Sequence, residues 1–350
     1  MNKADKIYVA GHNGLVGSAI CRLLQSRGFS NIVTRTHQEL DLTRQEAVEC
    51  FFDRERPDYV FLAAARVGGI GANARYPAQF LYVNLAIGLN VVQAAWRSKV
   101  QLLVNLGSSC VYPKLAPQPL REDALLTGPL EPTNEAYAIA KIAVLKQCQF
   151  YNAEHGTRFL SLVPTNLYGP NDSFDFNDSH VLPAVMRKLH LGRLLMEGNL
   201  RSIQQDLAYW SVDHAFLSIT TSEIEGLLEA HGICRGKVVL WGTGKPKREF
   251  LHVDDLAAAC LFLVEKRARE NHLVNVGCGS DLRVAELAVQ IAEVVEYRGQ
   301  VTFDGTKPDG TPRKLLDVSL LNSLGWGPTI GLRQGIEDTY RWYQHQVKDS

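Results

Sequence analysis

The stretch Ile7-Tyr8-Val9-Ala10-Gly11-His12-Asn13-Gly14-Leu15-Val16-Gly17-Ser18 decides how the rest of the chain is read. Lys6 to Ala10 is a short apolar run that predicts a buried strand, and Ser18 to Arg27 has the spacing of an amphipathic helix. Between them, Gly11 permits a tight turn, Gly14 lets backbone approach a pyrophosphate, and Gly17 lets helix and strand pack closely. Anionic oxygens would sit at the helix N-terminus, among N–H groups that lack an intrahelical partner. Strand, glycine turn and helix in that order predict the start of a dinucleotide-binding domain.

The same rhythm continues outward. Strands are predicted at Ile32 to Thr34, Tyr59 to Ala63, Leu102 to Leu106 and from Phe159 to Val163. Helices are predicted over Arg44 to Glu55, Pro77 to Lys99 and Tyr137 to His155. Strands with few alternating polar positions, separated by helix-length segments, indicate a parallel sheet covered on both faces. Right-handed crossovers put the strand C-termini on one edge, where ligands bind. The fold class is therefore α/β, a Rossmann-type doubly wound parallel sheet. After Pro164 the rhythm breaks, with a helix from about His180 to Leu191, a strand at Val238 to Trp241, and helices at Asp254 to Lys266, Leu282 to Glu296 and Leu332 to Gln346. A smaller, discontinuous substrate-binding C-terminal domain is expected. The division predicted is 1–165 for the cofactor domain, with further elements from about 236–265, and 166–235 with 266–350 for the substrate region.

Whole-chain properties exclude several classes. Lysine plus arginine and aspartate plus glutamate number 37 each over 350 residues, so no charge excess points to nucleic acid or a membrane surface. No signal-like stretch opens the chain, and no run approaches a membrane span. Seven scattered cysteines form neither a disulfide framework nor a CxxC zinc site, and no metal is expected. A reduced cytoplasmic enzyme is expected, which leaves the glycosylation sequon Asn177-Asp178-Ser179 without meaning.

The second strand ends in Thr34-Arg35-Thr36-His37, without the carboxylate that grips a ribose 2′-hydroxyl. Arg35 is placed to meet a 2′-phosphate, with Asn13 and His37 assisting, which favours NADP over NAD. Asp41 follows closely and could hydrogen-bond the adenine end, which keeps NAD as the other choice. For the chemistry, Tyr137 and Lys141 lie four apart on a helix and so on one face. There an ammonium can lower a phenol's pKa and make it a proton donor. Ser108 follows the fourth strand and can hydrogen-bond a carbonyl undergoing reduction. Cys110 alone would be a small buried hydrophobe, and His180 alone a structural or surface residue. Together near a hydride site they suggest proton transfer at carbon, since a 4-keto group acidifies the hydrogens on C3 and C5 of a sugar.

On these residues the chain resembles the GDP-4-keto-sugar epimerase-reductases of the extended short-chain dehydrogenase/reductase family. The matching segments are Gly11–Ser18, Ala63–Ile70, Gly107–Lys114, Leu130–Glu135, Tyr137–Lys141, Pro164–Pro170, Ser179–Ala184, Trp241–Gly244, Arg248–Asp255 and Lys307–Asp317. The resemblance implies NADPH-dependent 3,5-epimerisation and 4-reduction of GDP-4-keto-6-deoxy-D-mannose, with Cys110 as base and His180 as acid. It implies cofactor contacts at Gly11, Asn13, Gly14, Leu15, Val16, Gly17, Arg35, Asp41, Leu42, Ala63, Ala65, Tyr137, Lys141, Pro164, Asn166, Leu167 and His180. Substrate contacts are implied at Ser109, Asn166, Lys188, Trp241, Arg248, Lys307 and Lys314, and homodimers through helices on the nucleotide-binding domain.

Three positions depart from the family pattern: Asn13 and His37 where basic residues are familiar, and Lys188 in place of an arginine, a point charge for a bidentate fork. A segment over about 193–235 is extra, with Leu200, Ile203, Leu207 and Trp210 at helical spacing. It reads either as packing on the small domain or as a lid or subunit contact that changes which sugar fits. A GDP-linked 3,6-dideoxyhexose or 6-deoxyheptose therefore stays as an alternative substrate, and a plain sugar-nucleotide epimerase or dehydratase as an alternative activity.

Overall fold

The computed structural model describes residues 1–176, 178–211, 214–266 and 273–348. Asn177 of the sequon lies outside the described residues. The chain forms two compact units, Met1–Leu167 with Glu249–Ser280 and Lys314–Thr329, and Tyr168–Arg248 with Asp281–Arg313 and Ile330–Ser350.

The first unit is a six-stranded sheet built from β1 (Ile7–Ala10), β2 (Ile32–Val33), β3 (Tyr59–Leu62), β4 (Leu102–Leu106), β5 (Phe159–Pro164) and a sixth strand, Leu273–Val276. From one edge the order is Leu273–Val276, β5, β4, β3, β1, β2, and every pairing is parallel. Successive strand residues point to opposite faces, and both faces are apolar. Ile7, Val9, Phe61, Val104 and Leu162 pack under α1 (Leu15–Ser26) and the helix Val253–Lys266. Tyr8, Ala10, Val60, Leu62 and Leu103 pack on the other face. There they meet α2 (Gln45–Glu55) and, after the short α3 (Ile70–Arg75), α4 (Pro77–Arg97) and α5 (Glu135–His155). By length and composition α4 could cross a membrane, yet its Phe80, Gly88, Val91, Val92, Ala94 and Ala95 are buried within this unit.

The domain division differs from expectation in its second half. Residues 273–280 and 314–329 belong with the sheet, because Leu273 pairs with Ser161 and Val276 with Pro164 as the sixth strand. Residues 236–248 stay with the second unit, because Lys237–Trp241 pairs in parallel with Gln300–Asp304 and antiparallel with Ile233–Cys234.

The second unit is mostly helical around that small sheet. α6 (Val181–Glu197) ends at Gly198, and α7 (Leu200–Ser211) and α8 (Thr221–Ala230) follow within the extra segment. Thr220 and Glu223 form a capping box that starts α8: the Glu223 N–H donates to the Thr220 hydroxyl at 3.3 Å, and the Thr220 N–H to the Glu223 carboxylate at 2.7 Å. Ile203 and Leu207 are fully buried, as their helical spacing predicts. The extra segment packs as part of this unit.

Candidate active site

The C-terminal ends of the parallel strands carry most of the expected site residues of the first unit. After β1, Gly11 has φ +83°, and a Cβ there would lie 2.7 Å from the backbone of Ala64; a Cβ on Gly17 would lie 2.1 Å from the Gly11 carbonyl oxygen. Neither position accepts a side chain. Gly14 caps α1 with no side-chain partner, and no acidic residue occupies the first turn. The N–H groups there are open to an anion, so the residues present fit the diphosphate of a dinucleotide. Ala63 and Ala65 follow β3, and Pro164, Asn166 and Leu167 lie at the end of β5.

The adenine end is less simple than expected. Arg35 is tied to Glu55 at 2.8 Å and to the Thr34 carbonyl at 2.7 Å, and would exchange a partner to take a phosphate. Asp41 closes its own turn by accepting from the N–H and hydroxyl of Thr43, which hold its carboxyl below the usual range. Leu42 is buried, while Asn13 and His37 are exposed.

Beyond β4, Ser108 starts a short 3₁₀ turn, Ser109–Val111, and its Oγ accepts from the Cys110 N–H at 3.3 Å. Ser109 is buried in that turn. Asn134 precedes α5 at the position where an asparagine usually caps the helix. Its side chain makes no capping bond, and its Nδ2 donates instead to Cys110 Sγ at 3.2 Å. Lys314 Nζ donates to the same sulfur at 3.4 Å. Tyr137, in the first turn of α5, faces Ser108 and Cys110. Lys141 is buried, donates to the Leu106 carbonyl at 2.8 Å, and lies 5.8 Å from the centroid of the Tyr137 ring.

Electrostatics correct one expectation. The Tyr137 phenol is pushed up, first by burial and then by the neighbouring thiol, with only the Ser108 hydroxyl opposing. Lys141 does not bring it down, because its ammonium is aimed at the Leu106 carbonyl. Burial lowers Lys141 itself to about 8. Tyr137 is thus a firmly protonated donor at neutral pH.

The second unit gathers the remaining expected residues. His180 is exposed at the N-cap of α6. Lys188, one face along the same helix, is buried, donates to the Val239 carbonyl at 3.3 Å and is lowered by burial to about 8. Trp241 is 57% exposed, enough to offer a ring face to a ligand, and the Lys307 ammonium lies 5.6 Å from its centroid. Arg248 donates to the carbonyls of Lys247 and Asp309, at 2.8 and 3.3 Å.

Residues 7–211 and 217–277 match the sequence pattern of the NAD dependent epimerase/dehydratase family. The chain belongs to that family. Within it, the chain lies on the branch of sugar-nucleotide epimerase-reductases that includes the GDP-L-fucose synthases. It is 52% identical over 346 residues to GDP-L-fucose synthase 1 of Arabidopsis thaliana, covering 99% of this chain and 95% of that one. Among solved structures it is similar to a GDP-6-OMe-4-keto-L-xylo-heptose reductase from Campylobacter jejuni (41% identity, TM-score 0.92, 99% of each chain covered). It is also similar to a GDP-D-glycero-L-gluco-heptose synthase from Campylobacter jejuni, solved in the presence of NADPH (40% identity, TM-score 0.91, 98% and 99% covered).

Two residues of this epimerase/dehydratase site escape a reading of the sequence. Asn134 stands inside a recognised segment but draws no attention until its amide meets the sulfur. Glu249 is fully buried, and its carboxylate accepts from the N–H groups of Gly279 at 2.7 Å and Leu316 at 3.0 Å. Its own N–H donates to the Lys314 carbonyl at 3.3 Å, and its carbonyl accepts from Asn166 at 2.7 Å. It ties the Asn166 and Lys314 segments together. Among the described residues no cluster of metal ligands occurs.

Proposed function

We propose that the chain catalyses NADPH-dependent 3,5-epimerisation and 4-reduction of GDP-4-keto-6-deoxy-D-mannose, giving GDP-L-fucose. The observation that carries the reading is the Cys110 thiol beside the Tyr137 phenol, with Asn134 and Lys314 donating to its sulfur. A plain reductase has no use for a thiol there.

The 4-keto group makes C3–H and C5–H acidic, since the carbanion left behind is delocalised as an enolate. Cys110 takes the proton at each carbon in turn, and His180 returns one to the opposite face. Bound NADPH supplies the hydride for C4. Ser108 donates a hydrogen bond to the C4 oxygen, and Tyr137 delivers its proton to that oxygen as the carbonyl is reduced. Lys141, whose ammonium donates to the Leu106 carbonyl, would hold ribose hydroxyls of the bound cofactor. In the second unit Lys188, Trp241, Arg248 and Lys307 would hold the sugar diphosphate and base.

A second reading, a GDP-4-keto heptose as substrate, is favoured by likeness to the two Campylobacter jejuni structures. The higher identity to a GDP-L-fucose synthase, over nearly the whole chain, favours the hexose. Purified protein given NADPH and either GDP-4-keto-6-deoxy-D-mannose or the corresponding heptose tests the choice. Turnover of the hexose at least tenfold faster supports the first reading, and the reverse order overturns it. Replacing NADPH by NADH checks the cofactor in the same assay. We also propose a cytoplasmic homodimer, supported by Tyr82 and Leu89 exposed on α4 and Ile139 and Phe150 exposed on α5. Sedimentation as a monomer at micromolar concentration would contradict the dimer.

A further inference from the structure

The extra segment has no part in the chemistry just proposed, yet both of its helices are fastened to the loop that leads to His180. On α7, Asp206 is fully buried and accepts from Nε of Arg187, itself 1% exposed, at 2.8 Å. Tyr343 donates to the other oxygen of Asp206. A second nitrogen of Arg187 donates to the Phe174 carbonyl at 2.9 Å. Trp210, also on α7, packs against the Phe174 ring at 5.0 Å between centroids.

At the end of α8 comes a second fastening. His231 stacks on Phe176 with centroids 4.1 Å apart and planes 10° from parallel, and the Arg187 guanidinium lies 4.0 Å from the centroid of the same ring. An imidazole and a guanidinium thus both bear on one phenyl ring. The neighbouring Asp175 carries the hold forward. Its carboxylate accepts from the Asp178 N–H at 3.0 Å and its carbonyl from the Ser179 N–H at 3.3 Å. His180 follows at once and begins α6, and α6 returns Arg187 to the cluster.

We propose that α7 and α8, with His231 at the end of α8, brace the His180 loop, and that His231 is a positioning residue for the proton transfer assigned to His180. The inference rests on the function proposed above. A side chain that moves protons to carbon must be held to within a fraction of an ångström, and a misplacement of about 1 Å can cost about a hundredfold. His180 is carried to the start of α6 by that loop. The hydride step uses Ser108, Tyr137 and Lys141, none of which lies on the braced loop.

The test compares His231→Ala, His231→Phe and His180→Asn in two assays on the full chain. One follows exchange with inversion, deuterium entering C3 and C5 of GDP-4-keto-6-deoxy-D-mannose from the opposite face, in deuterium oxide without NADPH. The other follows single-turnover oxidation of GDP-L-fucose by NADP⁺, which needs only the hydride step. His231→Ala should slow exchange about tenfold and change oxidation less than about twofold, and His231→Phe, which keeps the stack, should recover most of the exchange. His180→Asn should abolish exchange. If His180→Asn exchanges normally, the role of His180 fails and the inference falls with it. If His180→Asn fails to exchange but His231→Ala exchanges normally, only the brace is overturned. Equal loss in both assays for His231→Ala, or no recovery in His231→Phe, also overturns it.

Discussion

Cys110 and His180 are held in opposite ways. The sulfur of Cys110 is reached by side chains from remote parts of the chain, Asn134 and Lys314, and both donate to it. His180 stands exposed at the start of α6, and behind its loop Arg187 and Asp206 form a buried pair that bears on Phe174 and Phe176. The first arrangement touches the reacting atom itself, and the second the loop that carries the reacting group. Damage to the first should leave folding intact and change rates. Damage to the second should be felt in stability as well.

The largest effect that sharpens this contrast comes from Tyr137→Phe. Removing a positioned proton donor should cut NADPH oxidation by about 10²–10⁴-fold, followed by absorbance, while the unfolding midpoint stays near that of the parent. Next is Asp206→Ala, which leaves the buried Arg187 guanidinium without its carboxylate. Breaking such a pair should cost about 3–5 kcal/mol, read from urea unfolding. A loss below about 1 kcal/mol would show that the cluster does not support the unit and would break the comparison.

Lys141 gives a pH test with two signs. Burial holds it at about 8 in the folded chain, against about 10.4 when unfolded. The folded state therefore binds this proton less tightly than the unfolded state. Its contribution to stability is least favourable below pH 8 and improves as pH rises from 8 toward 10.4. Reduction needs the charged form and should fall about tenfold per pH unit above 8. Lys141→Met should remove both trends; a rate profile unchanged through pH 9 in the parent would contradict the placement of the charge. The smallest effect is expected from Lys314→Met, which removes one donor to the Cys110 sulfur and should slow exchange at C3 and C5 about tenfold, with partial recovery in Lys314→Arg.

What could be read in the chain divides along the same line. β1 to β5 declare themselves through short apolar runs set between helical spacings, and the glycine turn at residues 11–17 needs only its neighbours to be understood. Leu273–Val276 is only four residues long, and its strand partner, β5, lies far back in the chain. Nothing local announces it as the sixth strand, which is why residues 273–280 read as part of the substrate region. Ser108, Tyr137 and Lys141 are legible because helix geometry and a strand end bring them together. The Lys314–Cys110 contact joins residues 204 apart in sequence, and the Phe176–His231 stack joins a loop to the end of an extra helix. Such contacts are set by tertiary packing and leave no period in the sequence. The phenol of Tyr137 went against expectation for a related reason: depth of burial is a property of the fold, and it outweighs a nearby lysine aimed elsewhere.

The central claim is that proton transfer at carbon and reduction of the carbonyl are carried by different residues. Mass spectrometry of the sugar recovered from Tyr137→Phe, incubated with GDP-4-keto-6-deoxy-D-mannose in deuterium oxide, tests it most directly. The account predicts deuterium at both C3 and C5 at close to the parent rate, with almost no reduced product. Exchange lost in step with reduction, or absent from the parent as well, would contradict it.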